Sequence, residues 1–283
     1  MNQKKRTKEI MEIYKYISID NKIIDSIFQS NMIKYSEILK LNDPFELQPV
    51  ILSAYKDKEK QKKWENILIV ENVTHDIPEN ERNFFLDRYF PDYYNNSDKS
   101  VSLEIFLKSP MDYIMKDTFE YIKSKLGLLS LSSKKNDLLM WSHYANSHQG
   151  IVIGFNRHHK YFSQNKNIHD FEGLLKIVKY QYKKPKIYLM EDREFLFTKS
   201  NHWKYENEYR VIRKLENLIK MGDIYVDKFP KDLISSVTFG LKISEEYKQK
   251  ILDILGKTNM NIKIFDTKIN SEEYKLDFIE IKL

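Results

Sequence analysis

The segment Leu128–Phe155, LLSLSSKKNDLLMWSHYANSHQGIVIGF, leaves the fewest options open. An apolar run (Leu128, Leu129, Leu131), a polar turn (Ser132–Asn136) and a second apolar run follow one another. Trp141, Ser142, His143, Tyr144, Asn146 and His148 sit inside that second run. Gly150 then opens Ile151-Val152-Ile153-Gly154-Phe155, the most strand-like run of the chain. A buried strand has no need of those hydrogen-bonding side chains, and a surface loop has no need of that apolar surface. Polar groups set in apolar sequence line a cleft or find partners inside a core. The rest of the chain is read as the frame of this segment.

Composition narrows the class around it. With 283 residues, 41% hydrophobic and 31% charged, the chain is long enough to bury a sizeable core. No window approaches a membrane-crossing length of apolar residues, so no membrane partner is expected. The opening MNQKKRTKEIMEIYKY has no apolar core segment, which argues against a secretory signal and for a cytoplasmic protein. The lack of cysteine excludes disulfides, thiol nucleophiles and thiolate metal sites. A net charge of +6 and a pI of about 9.0 suit a nucleotide or nucleic-acid partner. Acidic residues are interspersed with the basic ones throughout, however, so charge alone does not decide it.

Along the chain, Ile13–Ile17 alternates aromatic and β-branched residues as a strand does. Asp20 is placed to cap a helix running through Phe28, with Ile23, Ile24 and Ile27 on one face. Met32–Ser36 returns as a second strand. Asn42-Asp43-Pro44 is turn chemistry, with Phe45 expected in the core. Residues 50–125 carry apolar residues at helical spacing, such as Trp64, Ile67 and Leu68, punctuated by Pro78, Pro91 and Pro110; this predicts a mostly helical insertion. Ser133 is placed to cap a helix over Lys134–Trp141. Further strands are predicted over 174–182, 205–212, 225–229, 233–240, 262–269 and 276–281, and helices over 191–203 and 244–255. No internal repeat, low-complexity tract or linker interrupts the pattern. The expectation is a single α+β domain over 1–283 on a mixed or antiparallel sheet, with the helical insertion at about 50–125.

Four groups of residues carry chemistry. In Glu206-x-Glu208-x-Arg210, strand periodicity puts the three charged side chains on one face. Paired carboxylates beside an arginine can orient a ribose or activate a nucleophile while the guanidinium holds a phosphate or carboxylate. The same pattern also suits a solvated ladder of surface charge. The second group is His143, Tyr144, Asn146 and His148. Its histidines are five apart with no carboxylate between them, which excludes the helical His-Glu-x-x-His zinc arrangement. A histidine in an apolar run is as readily a satisfied core group as a catalyst. Third, Ser130 and Ser132 end a strand, where hydroxyls bind a ribose or phosphate or cap the next helix; no G-x-S-x-G surrounds them. Fourth, Asp43 and Glu46 flank a tight turn from which either carboxylate could reach a cleft. Seven glycines, with no G-x-G-x-x-G and no P-loop, argue against Rossmann and P-loop folds. His158, His159 and His169 lack partners at ligand spacing, so no metal is expected.

Three blocks together resemble a known family: LNDPFE (41–46), SLSS…LLMWSHYANSHQGIVIGF (130–155) and W-x-Y-E-x-E-Y-R (203–210), followed by VTFG (237–240). The family is that catalogued as domain of unknown function 2971. The opening YKYIS and IIDSIFQSNMIKYS fit it too, so the resemblance covers nearly the whole chain. The name implies no activity. The order of elements also resembles the ADP-ribosyltransferase fold, with a first strand carrying His or Arg, a middle strand with Ser or Tyr, and a late strand with a catalytic Glu. That resemblance implies a split sheet and NAD as substrate. It implies that Glu208 bonds the nicotinamide ribose and stabilises an oxocarbenium-like transition state. Glu206 would orient or deprotonate the acceptor, and Tyr144 or His143 would stack on or bond the nucleotide. Tyr16, Lys15, Ser130, Ser132, Trp141 and Arg210 would hold the nucleotide, with Lys15 standing where that fold carries His or Arg. The expected protein is an NAD-dependent ADP-ribosyltransferase or NAD glycohydrolase, in the setting of a toxin or phage-defence effector, with a protein or nucleic-acid acceptor. Two alternatives are a nucleic-acid-binding or -processing component of such a system and a non-catalytic protein-interaction module.

Overall fold

Residues 12–64, 115–116, 118–163, 171–258 and 262–282 are described by the computed structural model. The chain divides into two compact units, one made of Met1–Pro44, Leu126–Tyr182 and Lys199–Leu283, the other of Phe45–Lys125 and Lys183–Thr198. Most of the expected helical insertion, including Ile67 and Leu68, and also His169, lies outside the described residues.

In the first unit, β1 (Glu12–Ile17) and β2 (Met32–Glu37) flank α1 (Asn21–Ile24) and a π-helical turn, Asp25–Gln29. Asp20 caps α1 as its position predicts: its carboxylate accepts the Ile23 amide at 2.8 Å, satisfying one donor that the first turn leaves open. β3 (Val50–Ser53) belongs to the second unit. The run from Leu128 to Phe155 is carried by β4 (Leu126–Ser132), α2 (Leu138–Tyr144) and β5 (Ile151–Asn156). Then come β6 (Lys176–Ile177), β7 (Lys179–Gln181), β8 (Lys186–Tyr188), which like β3 belongs to the second unit, and β9 (Thr198–Ser200). β10 (Glu208–Lys214), β11 (Ile219–Met221), β12 (Ile224–Lys228) and β13 (Ile234–Phe239) follow. α3 (Glu245–Gly256), β14 (Lys263–Ile269) and β15 (Leu276–Ile281) close the chain.

The large sheet runs β11-β12-β2-β4-β1-β5-β13-β14-β15, with β10 joined to β4 and β6 to β10. β13 and β14 are parallel, with α3 as their crossover, and the other described pairings of this sheet are antiparallel. β4 is its junction. One edge pairs with β10 from Glu208↔Ser132 to Lys214↔Leu126. The other edge is shared: β2 takes it at Leu128 and Gly127, and β1 at Ser132. β1 and β2 therefore part from one strand and leave a gap between them.

Alternation along β5 fills two cores, as a period of two requires. Ile151, Ile153 and Phe155 join a large cluster with Ile24, Phe28 and Ile251. Val152 joins a smaller one with Tyr16, Met140, Trp141 and Leu276. In the second unit, β3 lies parallel to β8 and Phe119 packs on Phe195 at 5.4 Å. Its described α-helical residues are 58–64 and 118–124, apart from the pair 115–116.

Four local expectations fail for identifiable reasons. The helix expected over 191–203 is two 3-10 turns, Glu194–Phe197 and Asn201–Glu206, around β9. Phe195, Leu196 and Phe197 are all buried, which a one-sided helical stripe cannot do. The strand expected from 205 starts at Glu208, because Asn207 takes a left-handed φ of 45°. α2 is capped by Asp137, whose carboxylate accepts the Leu139 and Met140 amides at 3.0 and 3.1 Å, and not by Ser133. Phe45, expected in the core, is 74% exposed.

Candidate functional site

Glu206 closes a 3-10 turn and Glu208 opens β10, yet their side chains meet on one ammonium. Lys199 Nζ, from β9, lies 2.6 Å from Glu206 Oε2 and 3.2 Å from Glu208 Oε2. The left-handed Asn207 between them makes this possible, and its side-chain amide secures the turn by donating to the Tyr205 carbonyl at 2.7 Å. Arg210, next on the same face of β10, donates from Nε and an η nitrogen to both Glu208 oxygens, at 2.8 and 3.0 Å. Across the β4–β10 pairing, Ser130 Oγ donates to Glu208 Oε1 at 2.6 Å. From α2, Tyr144 donates to Glu206 Oε1 at 2.6 Å. Ser132 Oγ donates to the Glu206 backbone carbonyl at 2.7 Å, and the Glu208 amide donates to the Tyr180 hydroxyl at 2.8 Å. Glu206 and Glu208 are each 3% exposed and Arg210 is fully buried, so burial costs are met by charge pairing within the cluster.

The two carboxyls are driven in opposite directions. Burial raises Glu206, and the neighbouring Glu208 charge adds to it against the Lys199 ammonium. Burial also acts on Glu208, but the Arg210 and Lys199 charges and the hydrogen bonds from Arg210 and Ser130 outweigh it and hold the group well below the ordinary carboxylate range. Burial and the bond to Glu206 keep Tyr144 protonated far above its ordinary value. A carboxyl poised upward beside one held ionised is the arrangement that divides proton transfer from charge stabilisation.

Lys15 links this cluster to open space. Its Nζ reaches across the gap between β1 and β2 and donates to the Ser130 carbonyl at 2.9 Å. Burial lowers it to about 8, with Glu208 acting against that shift and the Lys34 charge adding to it. On its other side is a cavity of about 640 Å³ between α1, β1, β2 and the β11–β12 hairpin, with Lys15, Tyr16 and Ser36 in its wall.

Of the residues singled out from sequence, Glu206, Glu208, Arg210, Ser130, Ser132 and Tyr144 join one network, and Lys15 touches it through Ser130. Tyr16 and Trp141 are packed edge to face at 5.5 Å in the smaller core. Tyr16 donates to the Lys134 carbonyl and Trp141 to that of Lys135. His143 is exposed on α2 with its ring 6.3 Å from that of Tyr144, outside the Lys199–Glu206–Glu208–Arg210 network. Asn146 and His148 serve a turn of left-handed residues, with φ of 47°, 53° and 69° at 146–148; His148 stacks on Trp141. Asp43 accepts Trp203 Nε1 at 2.7 Å, and the Trp203 ring lies under the Lys199 ammonium at 5.2 Å. Lys199 and Tyr180 are members of the network that sequence reasoning misses. Nothing in FLFTKSNHW sets that lysine apart from its neighbours.

Among the described residues, no group of three His, Asp or Glu is placed to hold a metal ion, and no helix is long and apolar enough to cross a membrane.

Fold and cluster together define an α+β protein on a mixed, mostly antiparallel sheet, with a buried Lys–Glu–Glu–Arg network held by β4, β9, β10 and α2. Residues 140–211, which hold Tyr144, Lys199, Glu206, Glu208 and Arg210, match the family described as "Protein of unknown function (DUF2971)". The matched stretch takes in the motif block 203–210 and much of the block 130–155, two of the blocks that resemble this family. No curated protein and no solved structure matches the chain.

Proposed function

We propose that the chain is an NAD-consuming enzyme of the cytoplasm, an ADP-ribosyltransferase or NAD glycohydrolase, whose nucleotide enters by the cavity beside Lys15. The observation that carries this reading is the pair of carboxyls sharing the Lys199 ammonium, Glu206 shifted up and Glu208 held down. The divergence of β1 and β2 from β4 is in keeping with a split sheet of the ADP-ribosyltransferase kind.

In the proposed step the bond from ribose C1′ to nicotinamide breaks and its electron pair leaves with neutral nicotinamide. Ionised Glu208 stabilises the positive charge that develops on the ribose. Water or an acceptor forms the new bond at C1′ and yields its proton to Glu206, whose upward shift makes it a stronger base than an ordinary carboxylate. Both carboxyls are buried, so the proposed step requires the network to open; Lys15, bonded to the Ser130 carbonyl, is its contact with the cavity. Release into a cell as a toxin or phage-defence effector would act by depleting NAD.

The same burial favours a second reading, in which the closed network simply fixes β4 against β10 and the protein is a non-catalytic interaction module. Nicotinamide release from NAD separates the two, measured for the wild type and for Glu206→Gln with protein and RNA acceptors present. Glu206→Gln is the informative variant because it leaves Arg210 and Lys199 paired with Glu208. The enzyme reading expects turnover in the wild type and a loss of about 100-fold or more in the variant, with unchanged melting. No release by a folded wild type sinks it and leaves the structural network.

A further inference from the structure

The cavity beside Lys15 is one-sided in charge. Lys15 from β1, Lys22 from α1 and Lys34 from β2 stand in its wall, and none of the residues lining it is acidic. Lys22 and Lys34 are exposed and pair with no carboxylate among the described residues. Alternation along β2 accounts for the side that Lys34 faces: Met32, Lys34 and Ser36 share one face, while Ile33 and Tyr35 are buried in the core. Across the cavity, Met221 and Ile224 of the β11–β12 hairpin add apolar surface, and both are exposed, at 48% and 38%. Ser18 and Ser26 supply hydroxyls between the lysines. A volume of about 640 Å³ falls in the range of sites that engulf a small molecule.

We infer that this cavity binds a nucleoside diphosphate group, its two phosphates among Lys15, Lys22 and Lys34 and its base against Met32, Met221 and Ile224. A single carboxylate needs one ammonium. Three lysines around one space, two of them without a carboxylate partner among the described residues, match a group carrying several negative charges. The apolar surface matches a flat, weakly polar body attached to it. The mutual repulsion of Lys15 and Lys34, which contributes to the lowering of Lys15 after burial, is relieved by such an anion. The inference deepens the NAD reading and rests on it only for which nucleotide is taken.

The test is calorimetric titration of the full chain with ADP, adenosine, inorganic pyrophosphate and octanoate at one fixed salt concentration. The expected result is ADP binding, with adenosine weaker by about tenfold or more. The double variant Lys22→Gln/Lys34→Gln is expected to weaken ADP by about 100-fold without moving the melting temperature. Met221→Trp, which fills the mouth from an exposed position, is expected to abolish binding of ADP while leaving the fold intact. Absence of ADP binding, octanoate bound more tightly than ADP, or ADP affinity unchanged in both variants would each overturn the proposal. ADP binding with no nicotinamide release overturns the enzyme reading alone. NAD turnover with no ADP binding overturns this one alone.

Discussion

Lys199 is the residue on which the cluster depends. It supplies the positive charge shared by two buried carboxyls, and its removal leaves Glu206 facing Glu208 without the ammonium that bonds them both. Lys199→Met is therefore expected to destabilise the protein by about 3–5 kcal/mol, read from urea unfolding at neutral pH. The carboxyls themselves have opposite linkage to pH. Glu208 titrates lower folded than unfolded. Its contribution is present above the ordinary carboxylate value and is lost as pH falls through that value towards its folded one. Glu206 titrates higher folded than unfolded. Its contribution is present below the ordinary value and is lost as pH rises through the raised one. Removing Glu206 thus removes a term that favours the folded state on acidification. The expected outcome is that Glu206→Gln loses stability relative to wild type as pH is lowered from 7 towards 4, seen as diverging urea midpoints. Midpoints that stay parallel would contradict the upward shift.

Between elements, the site rests on two close fits. The first is the junction between the 3-10 turn and β10. Asn207 holds φ at 45°, a region that asparagine and glycine tolerate and β-branched residues do not. Asn207→Val is expected to cost about 1–2 kcal/mol and to separate Glu206 from Glu208, whereas Asn207→Gly stays within about 0.5 kcal/mol of wild type. Chemical unfolding of the pair checks the ranking. The second fit is where β13 ends against the turn that leaves α2. A Cβ on Gly240 would lie 2.2 Å from the His148 carbonyl oxygen and 2.6 Å from that of Gly150. Both contacts are with backbone held by hydrogen bonds from Lys242 and Gly240 themselves, so neither can yield cheaply. Gly240→Ala is expected to destabilise by about 1–3 kcal/mol, as overpacking of a tight contact does, with a lowered melting temperature as the readout.

Across the first unit, stability is collected on β5, the strand buried on both faces between β1 and β13. Ile153 is fully buried there, opposite Lys15 on one side and Val237 on the other. Ile153→Ala is expected to cost about 2–5 kcal/mol in urea unfolding. β1 meets β5, and β4 meets β10, only after long stretches of intervening chain have been bypassed. Such non-local pairings fold slowly, in milliseconds to seconds. They also mean that the cluster exists only once the sheet has registered.

Features that local chemistry decides are legible in the amino-acid order alone. Alternating aromatic and β-branched residues mark β1, β2 and the strands from β12 to β15, and Asp20 and Ser244 announce the starts of α1 and α3. Glu206, Glu208 and Tyr144 are legible as candidates, because polar groups set among aromatic and apolar residues must find partners, but His143, expected beside them, stays exposed outside the network. Local rules misjudge 191–203, where three successive buried apolar residues displace any helical stripe, and they place Glu206 on a strand that Asn207 interrupts. Partners, by contrast, are set by long-range pairing. Arg210 stands opposite Ser130 because β10 pairs with β4 in one register, and a slip of one residue would turn every side chain to the other face. Lys199 enters the cluster, and Lys22 and Lys34 converge on one cavity, only through the assembled fold. Each is one lysine among many until the sheet closes, since a charge carries no local pattern that names its partner.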